Sequence, residues 1–216
     1  MTATAVARRM ALCCRQLAAH GLIAGRDGNL SVRLGPDRVL VTPSGVIKAL
    51  VEPTDMVEVD LSGRKRRGRQ DPTSEIDLHL RILGLRRDVN AVVHAHPPVA
   101  TGFAVAGQGF QNFVLPELIL QCGHVPLVPY GTPGTPELGD QVERFIAGHD
   151  ALLLANHGAV TVGPTLDVAW IRMESLEHAA RIICTARGLG QVNELTPDAL
   201  ARLAAQRERE RREPHA

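Results

Sequence analysis

Residues 91–98 read Ala-Val-Val-His-Ala-His-Pro-Pro, so that an apolar run ends in two histidines and two prolines. A short apolar run of this kind is typical of a buried strand. Successive strand residues point to opposite faces, and residues two apart therefore share one face. We expect the imidazoles of His94 and His96 to leave the end of this strand side by side.

A third histidine, His157, ends a second apolar run at residues 151–155. Zinc and related ions bind imidazole nitrogen readily, and a catalytic ion typically takes three protein ligands and keeps one position open. The sequence therefore predicts a divalent metal site formed by His94, His96 and His157.

The composition favours an enzyme acting on a small molecule. The 216 residues are 44% apolar, 22% charged and only 3% aromatic, and the formal net charge is +1. A chain of this length is expected to form one domain over residues 1–216 with an aliphatic core. The near-neutral charge gives no general attraction for nucleic acid or membranes. Because no apolar stretch approaches the roughly 20 residues of a membrane span and no signal-peptide region is seen, we expect a cytoplasmic protein.

Apolar periodicity and turn residues predict alternating helices and strands. Helices are predicted at residues 3–19, 74–87, 98–106, 135–147 and 165–187, and strands at 30–34, 39–41, 56–59, 91–96, 151–155 and 158–162. Residues 64–69 are predicted to be a solvated basic turn, residues 113–129 are ambiguous, and the tail from about 195 to 216 is predicted to be a charged helix that frays. Early hairpins flanked by helices indicate an α/β fold, a three-layer α/β/α domain with a largely antiparallel or mixed central sheet.

Glu75 lies at the start of a predicted helix. A carboxylate there is either an acid favoured by the helix dipole or a functional group, and a histidine triad needs a base or a fourth ligand nearby. His79 lies four residues further on the same helix face and is a rival ligand. We assign the functional role to Glu75 and interpret His79 as a buried, hydrogen-bonded support.

Three separate segments offer small hydrogen-bond donors: Gly28-Asn29, Ser44-Gly45 and Thr73-Ser74. Glycine allows the backbone to approach an anion closely, hydroxyls donate to phosphate oxygens, and a helix N-terminus presents free amides. Together these segments could hold one phosphate group. Such residues are also ordinary turn formers, so three unrelated loops remain an equal alternative at this point.

Five motifs, in this order and spacing, resemble the class II aldolase/adducin family, which includes L-fuculose-1-phosphate aldolase. The motifs are Gly28-Asn29-Leu30-Ser31-Val32-Arg33, Thr42-Pro43-Ser44-Gly45, Pro72-Thr73-Ser74-Glu75, His94-Ala95-His96-Pro97 and Asn156-His157-Gly158. The resemblance covers residues 5–190 and implies a homotetramer with one zinc ion per subunit, for which manganese or cobalt could substitute.

The resemblance also implies a role for each matching residue. His94, His96 and His157 match the metal ligands, and Glu75 matches a carboxylate that binds the resting metal and then acts as the acid and base. The residues that match or adjoin the phosphate-binding positions of the family are Gly28, Asn29, Ser44, Gly45, Thr73 and Ser74.

The activity implied by the resemblance is cleavage of a ketose 1-phosphate, a sugar phosphate, to dihydroxyacetone phosphate and an aldehyde. Zinc then does the work of the Schiff-base lysine in the other aldolase type. The only two lysines, Lys48 and Lys65, are both expected to lie outside apolar pockets. The aldehyde pocket is expected to come from residues 106–130 and the tail.

Two departures from the family leave alternatives open. Family aldolases use two tyrosines on the aldehyde side, but Leu120 takes the place of the first and no tyrosine follows Tyr130, which makes Glu117 a candidate for that role. A sugar-phosphate 4-epimerase and a methylthioribulose-1-phosphate dehydratase share the scaffold, although the epimerases typically have aspartate in place of Glu75. A non-catalytic, adducin-like interaction module is a third alternative, against which the histidine triad argues.

Overall fold

The computed structural model describes residues 2–110 and 114–212. Its helices are α1 (Ala3–Ala19), α2 (Ile76–Leu85), α3 (Pro98–Val105), α4 (Pro116–Gln121), α5 (Pro136–Ile146), α6 (Leu166–Leu189) and α7 (Pro197–Arg212). Its strands are β1 (Asn29–Gly35), β2 (Arg38–Val41), β3 (Val57–Val59), β4 (Lys65–Arg67), β5 (Ala91–Ala95), β6 (Leu127–Val128), β7 (Ala151–Leu154) and β8 (Gly158–Gly163). Short 3-10 helices lie at Lys48–Leu50 and Pro53–Asp55.

These strands form one eight-stranded sheet in the order β4-β3-β2-β1-β5-β8-β7-β6. Neighbouring strands are antiparallel except for β6 and β7, which run parallel. The tight hairpins β1–β2 and β7–β8 account for two of the antiparallel pairs, because a short turn can join only antiparallel strands. The predicted mixed, largely antiparallel sheet is confirmed.

Helices cover both faces of the sheet, which confirms the three-layer α/β/α architecture. The apolar side chains of β5 alternate, so that Ala91 and Val93 join the core under α1, α3 and α6. Val92 points the other way and joins the core under α2 and α5. His94 follows Val92 by two residues and therefore faces α2. Among the described helices none is both long and apolar enough to span a bilayer.

The prediction of a simple turn at residues 64–69 is wrong, because Lys65–Arg67 form β4 at the edge of the sheet. Backbone pairing with β3 outweighs the poor strand propensity of this charged segment. Its side chains are exposed and face carboxylates, as in the ion pairs Lys65–Asp71 and Arg66–Asp37. Such charges protect an edge strand from pairing with another chain.

Part of the ambiguous segment 113–129 forms α4 and β6, whereas residues 111–113 lie outside the described residues. The predicted charged helix at the C-terminus is confirmed as α7, but it is anchored through Arg207. Arg207 donates to the carboxylate of Asp150 at 2.6 Å and to the carbonyl oxygen of Cys122 at 3.2 Å. Residues 213–216 lie outside the described residues.

The first prediction concerns Asp150, whose side chain is 2% exposed and lies among four guanidinium groups, the most distant being that of Arg211 at 3.8 Å. Its oxygens lie 2.9 Å from Arg86, 3.0 Å from Arg172 and 2.6 Å from Arg207. Replacing Asp150 with asparagine leaves these cations without their shared carboxylate. We expect the free energy of unfolding to fall by about 3 kcal/mol, measured by urea denaturation.

Asp88→Asn is the matched control, because Asp88 also pairs with Arg86 but its side chain is 57% exposed. It should cost less than about 1 kcal/mol. Burial opposes ionisation of Asp150, but the arginines hold its pKa below the usual value. The stabilisation that the Asp150 carboxylate gives the folded protein is complete above about pH 3.9, the pKa of this group in the unfolded chain. It is lost as the pH falls through the lower pKa that the group has in the folded protein. The free energies of unfolding of the unmodified protein and of Asp150→Asn should therefore converge in acid. Equal losses of stability in Asp150→Asn and Asp88→Asn at pH 7 would contradict the role given to Asp150.

Candidate metal centre

The three histidines lie at the same edge of the sheet. His94 is in β5, His96 follows the end of that strand, and His157 lies in the turn between β7 and β8. Because β5 and β8 are neighbours, with Ala95 opposite Ala159, this turn brings His157 to the end of β5. The turn depends on Asn156, whose φ of 56° is in the left-handed region that asparagine tolerates.

The imidazole rings converge on one point. Their centroids lie 4.7 to 5.1 Å apart, and one ligating atom from each ring lies within 4.8 Å of the others. The Nε2 atoms of His94 and His96 are 3.2 Å apart. The Nδ1 atom of His94 donates to the carbonyl oxygen of Ala159 at 3.0 Å, which leaves the lone pair on Nε2.

The carboxylate of Glu75 completes this cluster. Glu75 is the N-cap residue of α2, and its oxygens lie 3.3 Å from Nε2 of His94 and 3.4 Å from Nε2 of His157. Two ligands that each lie roughly 2.0–2.1 Å from a tetrahedral zinc ion are about 3.3 Å apart. The observed spacings of 3.2, 3.3 and 3.4 Å therefore suit a divalent ion.

An unsatisfied polar atom also suits a bound cation. Within residues 2–110 and 114–212, Oε1 of Glu75 is buried without a hydrogen-bond partner. Buried polar atoms without partners are rare and call for an ion or a water. Burial favours neutral Glu75, but the interaction with His94 outweighs it and holds the pKa of Glu75 below its usual value.

The surroundings shift the pKa values of the three histidines in different directions. Burial lowers the pKa of His157 to about 4 and also lowers the pKa of His96, so both are neutral at pH 7. Burial acts in the same direction on His94, but the neighbouring Glu75 outweighs it and raises the pKa of His94. Neutral imidazole is the form that binds metal, so His96 and His157 are ready to act as ligands.

A buried chain of hydrogen bonds holds the carboxylate of Glu75 in place. Nδ2 of Asn29 donates to Oε2 of Glu75 at 2.7 Å, and Oδ1 of Asn29 lies 2.5 Å from Nε2 of His79. The hydroxyl of Ser31 lies 2.7 Å from Nδ1 of His79. Burial lowers the pKa of His79 to about 3, so the ring is neutral and donates from one nitrogen while accepting at the other. The structure thus places His79 in the supporting position predicted for it, together with Ser31, which was not predicted.

Asp27 is a second residue that sequence reasoning missed. Its Oδ2 atom lies 3.7 Å from Nδ1 of His96, and its side chain is 55% exposed. This distance is longer than a hydrogen bond, so Asp27 adds negative charge beside the outer nitrogen of His96. The signal available in the sequence was its position directly before Gly28-Asn29.

The two hydroxyl-bearing loops lie side by side next to the N-terminus of α2. The amide of Ser44 donates to the carbonyl oxygen of Asp71 at 2.9 Å, and the amide of Thr73 donates to Thr42 at 3.1 Å. Gly45 has a φ of 71°, and a Cβ atom there would meet nothing within 4 Å. There is therefore open space beside Gly45, whereas Thr73 is buried and Gly134 packs against Ser74.

Gly28 and Asn29 contact the metal centre directly. Gly28 has a φ of 71°, and a Cβ atom there would lie 2.6 Å from Ile23 and 3.0 Å from the carbonyl oxygen of His94. Only glycine can adopt this conformation in so little space. Since the side chain of Asn29 binds Glu75 and His79, the Gly28-Asn29 segment joins the predicted phosphate loops to the metal cluster.

The structure does not bring Glu117 to the cluster. Glu117 is exposed in the first turn of α4, beside a cavity that is lined by Ser175 and His178 of α6. The carbonyl oxygen of Leu120 accepts a hydrogen bond from Arg207 at 3.2 Å. The role of Glu117 on the aldehyde side therefore stays a prediction.

The burial of Lys48 was not predicted, although its ammonium is bonded to polar groups rather than placed in an apolar pocket. This residue is 2% exposed, and its ammonium donates to the carbonyl oxygens of Arg26 at 2.8 Å and Val46 at 3.1 Å. Its hydrogen bonds link two loops of the site, which explains why a cation is buried there. Lys65 is at the edge of the sheet, as expected, where it pairs with Asp71.

Comparisons with known proteins agree with this geometry. The family model described as "Class II Aldolase and Adducin N-terminal domain" matches residues 8–184. A 5-deoxy-D-ribulose 1-phosphate aldolase from Bacillus thuringiensis is 32% identical over 192 residues, which are 88% of this chain and 89% of that protein. A 3-oxo-tetronate 4-phosphate decarboxylase from Pectobacterium atrosepticum is 33% identical over 189 residues, which are 86% of each protein.

A solved structure of L-fuculose 1-phosphate aldolase superposes with a TM-score of 0.89 at 28% identity, covering 96% of this chain and 98% of that one. The resemblance predicted from the five motifs is therefore confirmed. The relatives act on phosphorylated small molecules but differ in reaction, so the similarity alone leaves the reaction open.

Proposed function

Since this chain belongs to the class II aldolase and adducin family, we propose that it is a zinc-dependent aldolase. It would cleave a ketose 1-phosphate to dihydroxyacetone phosphate and an aldehyde. The observation that carries this proposal is the convergence of three histidine ligand atoms within 4.8 Å of one another, with Glu75 3.3 Å from His94 and 3.4 Å from His157. Manganese or cobalt would suit the same ligands, and the family resemblance favours a homotetramer.

The three histidines and Glu75 would hold the ion in the resting protein. A divalent ion there would act as a Lewis acid, stabilising negative charge on the substrate oxygens when the bond between carbon 3 and carbon 4 breaks. Stabilising this charge requires no Schiff-base lysine. The ammonium of Lys48 donates hydrogen bonds to two carbonyl oxygens.

Glu75 would handle the proton on carbon 3. In the condensation direction its carboxylate accepts that proton from dihydroxyacetone phosphate, and in cleavage it returns the proton to the same carbon. Asn29 holds one carboxylate oxygen by its amide, and His79 holds Asn29 in turn. The free oxygen, Oε1, faces His157 and has no hydrogen-bond partner among the described residues, so it is the atom available to the substrate.

The substrate phosphate would lie between the Ser44-Gly45 and Thr73-Ser74 loops. The hydroxyls of these loops can donate to phosphate oxygens, whereas the amides of Ser44 and Thr73 already donate to Asp71 and Thr42. This contact orients the reacting bond, which is how remote binding energy assists the chemical step. Gly28 and Asn29 would lie at the junction of the phosphate and metal halves.

Ser44→Ala should raise KM for a phosphorylated substrate by about 10-fold with a smaller change in kcat, because one donor to a charged oxygen contributes roughly 1.5–3 kcal/mol. Ser62→Ala is the control, since its hydroxyl bonds Asp60 in the turn before β4. Steady-state kinetics would measure both. An unchanged KM for Ser44→Ala would remove Ser44 from the phosphate site.

The experiment that tests the function is condensation by the zinc-loaded protein. Dihydroxyacetone phosphate is incubated with a panel of aldehydes, and products are identified by mass and stereochemistry. A ketose 1-phosphate product supports the aldolase.

The decarboxylase relative favours a second candidate, release of carbon dioxide from 3-oxo-tetronate 4-phosphate, because both reactions break a carbon–carbon bond next to a carbonyl-bearing carbon. In parallel assays with sugar phosphates, loss of water or epimerisation would instead identify the dehydratase or the epimerase. A folded protein that neither binds zinc nor turns over any of these substrates would identify the interaction module.

A further inference from the structure

Lys48 makes three hydrogen bonds to two different loops. Its ammonium donates to the carbonyl oxygens of Arg26 and Val46, and its backbone amide donates to the carbonyl oxygen of Gly25 at 2.9 Å. The residue is 2% exposed and lies at the start of the short 3-10 helix Lys48–Leu50. An ammonium carries three donors, so one side chain can join several carbonyl groups.

The first of these segments, residues 24–29, which we call the Gly-Asn loop, belongs to the metal centre. It carries Asp27 beside His96, Gly28 against the carbonyl oxygen of His94, and Asn29, which donates to Glu75. The second, residues 42–47, which we call the Ser-Gly loop, carries Ser44 and Gly45 next to the N-terminus of α2. The side chain of Lys48 runs between the two.

We propose that Lys48 is a positioning residue that fastens the Gly-Asn loop to the Ser-Gly loop and so holds the metal and phosphate halves of the site in register. The roles of the two halves rest on the proposed function, whereas the fastening itself depends only on the hydrogen bonds. Lys48 touches neither the histidines nor Glu75 in any hydrogen bond or ion pair of the described residues, so it acts through the loops.

The surroundings of Lys48 suit a cation that is kept in place. Burial lowers the pKa of its ammonium, and the nearby Cys14, Asp27 and Glu75 act in the opposite direction. Two carbonyl oxygens take the place of water around the charge. A side chain of the same length without donors would leave these carbonyl groups buried and the loops joined only by backbone bonds.

The test compares Lys48→Met, which keeps the length but loses the donors, with Lys48→Gln, which keeps one amide donor. Lys65→Met is the matched control, because Lys65 is the only other lysine in the chain and pairs with Asp71 at the edge of the sheet. Hydrogen–deuterium exchange is measured on the full-length, metal-reconstituted proteins, and the affinity for inorganic phosphate is measured by calorimetry.

Lys48→Met should exchange at least about 10-fold faster in both loops, where the amides of Asp27 and Ser44 are hydrogen-bonded, while β5 and α1 keep their protection. It should also bind inorganic phosphate about 10-fold more weakly. Lys48→Gln should show the same pattern to a smaller degree, and Lys65→Met should match the unmodified protein.

Unchanged hydrogen–deuterium exchange in both loops of Lys48→Gln would overturn the proposal. This test remains decisive if Lys48→Met does not fold. Faster exchange in one loop only, or equally throughout the sheet, would overturn it as well, because Lys48 would then be an ordinary stabilising residue. If both loops exchange faster but the unmodified protein does not bind phosphate, the fastening stands and the phosphate assignment of the proposed function fails.

Discussion

Glu75→Gln is expected to lower the turnover of the zinc-loaded protein by roughly 10²–10⁴-fold, the usual contribution of a general acid or base. Glutamine has the size of glutamate and can still accept the hydrogen bond from Asn29 that lies at 2.7 Å, so the local structure should persist. It cannot exchange a proton with carbon 3 of the substrate. The measurement is kcat for condensation, together with metal content and the midpoint of thermal unfolding.

Glu143→Gln is the matched control, because Glu143 is an exposed carboxylate on α5 that pairs with Arg81. Its turnover should equal that of the unmodified protein. Retained turnover in Glu75→Gln would remove Glu75 from the mechanism. Loss of metal together with turnover would instead show that Glu75 acts mainly as a ligand.

His94→Ala is expected to have the other large effect, a loss of more than about 100-fold in zinc affinity and, with it, of measurable turnover. Removing a residue that only supports a ligand typically costs 10- to 100-fold, so removing a ligand should cost more. His94 is fully buried, and its Nε2 atom lies within 3.3 Å of both His96 and Glu75. Zinc affinity is measured by competition with a chromophoric chelator.

His20→Ala is the control for His94→Ala, because His20 is an exposed histidine that pairs with Glu174 away from the cluster. It should keep its zinc affinity. A His94→Ala protein that is folded and binds zinc as tightly as the unmodified one would exclude the three-histidine site. A folded, unmodified protein without any zinc affinity would favour the interaction module.

Features that depend on neighbours in sequence were predicted correctly. The apolar spacing of residues 3–19 predicted α1 with its bounds, and Thr2 caps that helix by accepting from the amide of Ala5. The alternation in β5 predicted that His94 and His96 would point the same way. Gly28, with its φ of 71°, and Asn156, with its φ of 56°, are turn residues whose identity already signals unusual backbone conformations.

Features that join distant residues could not be read from spacing. The sequence suggested Glu75 as a partner of the histidines, but the contacts of 3.3 and 3.4 Å exist only because the start of α2 packs beside the ends of β5 and β8. The support of Glu75 by Ser31 and His79 spans 48 residues. Asp27 next to His96 is a contact of the same kind.

The sequence by itself determined most of the elements, the fold family and the residue types of a metal site, because side-chain direction and turn conformation are local properties of the chain. The tertiary structure alone decided that Lys48 is buried and that Asp150 anchors α7. A lysine or an aspartate is placed inside a protein only when distant carbonyl groups or guanidinium groups offset the loss of water, and the order of the strands decides which groups those are.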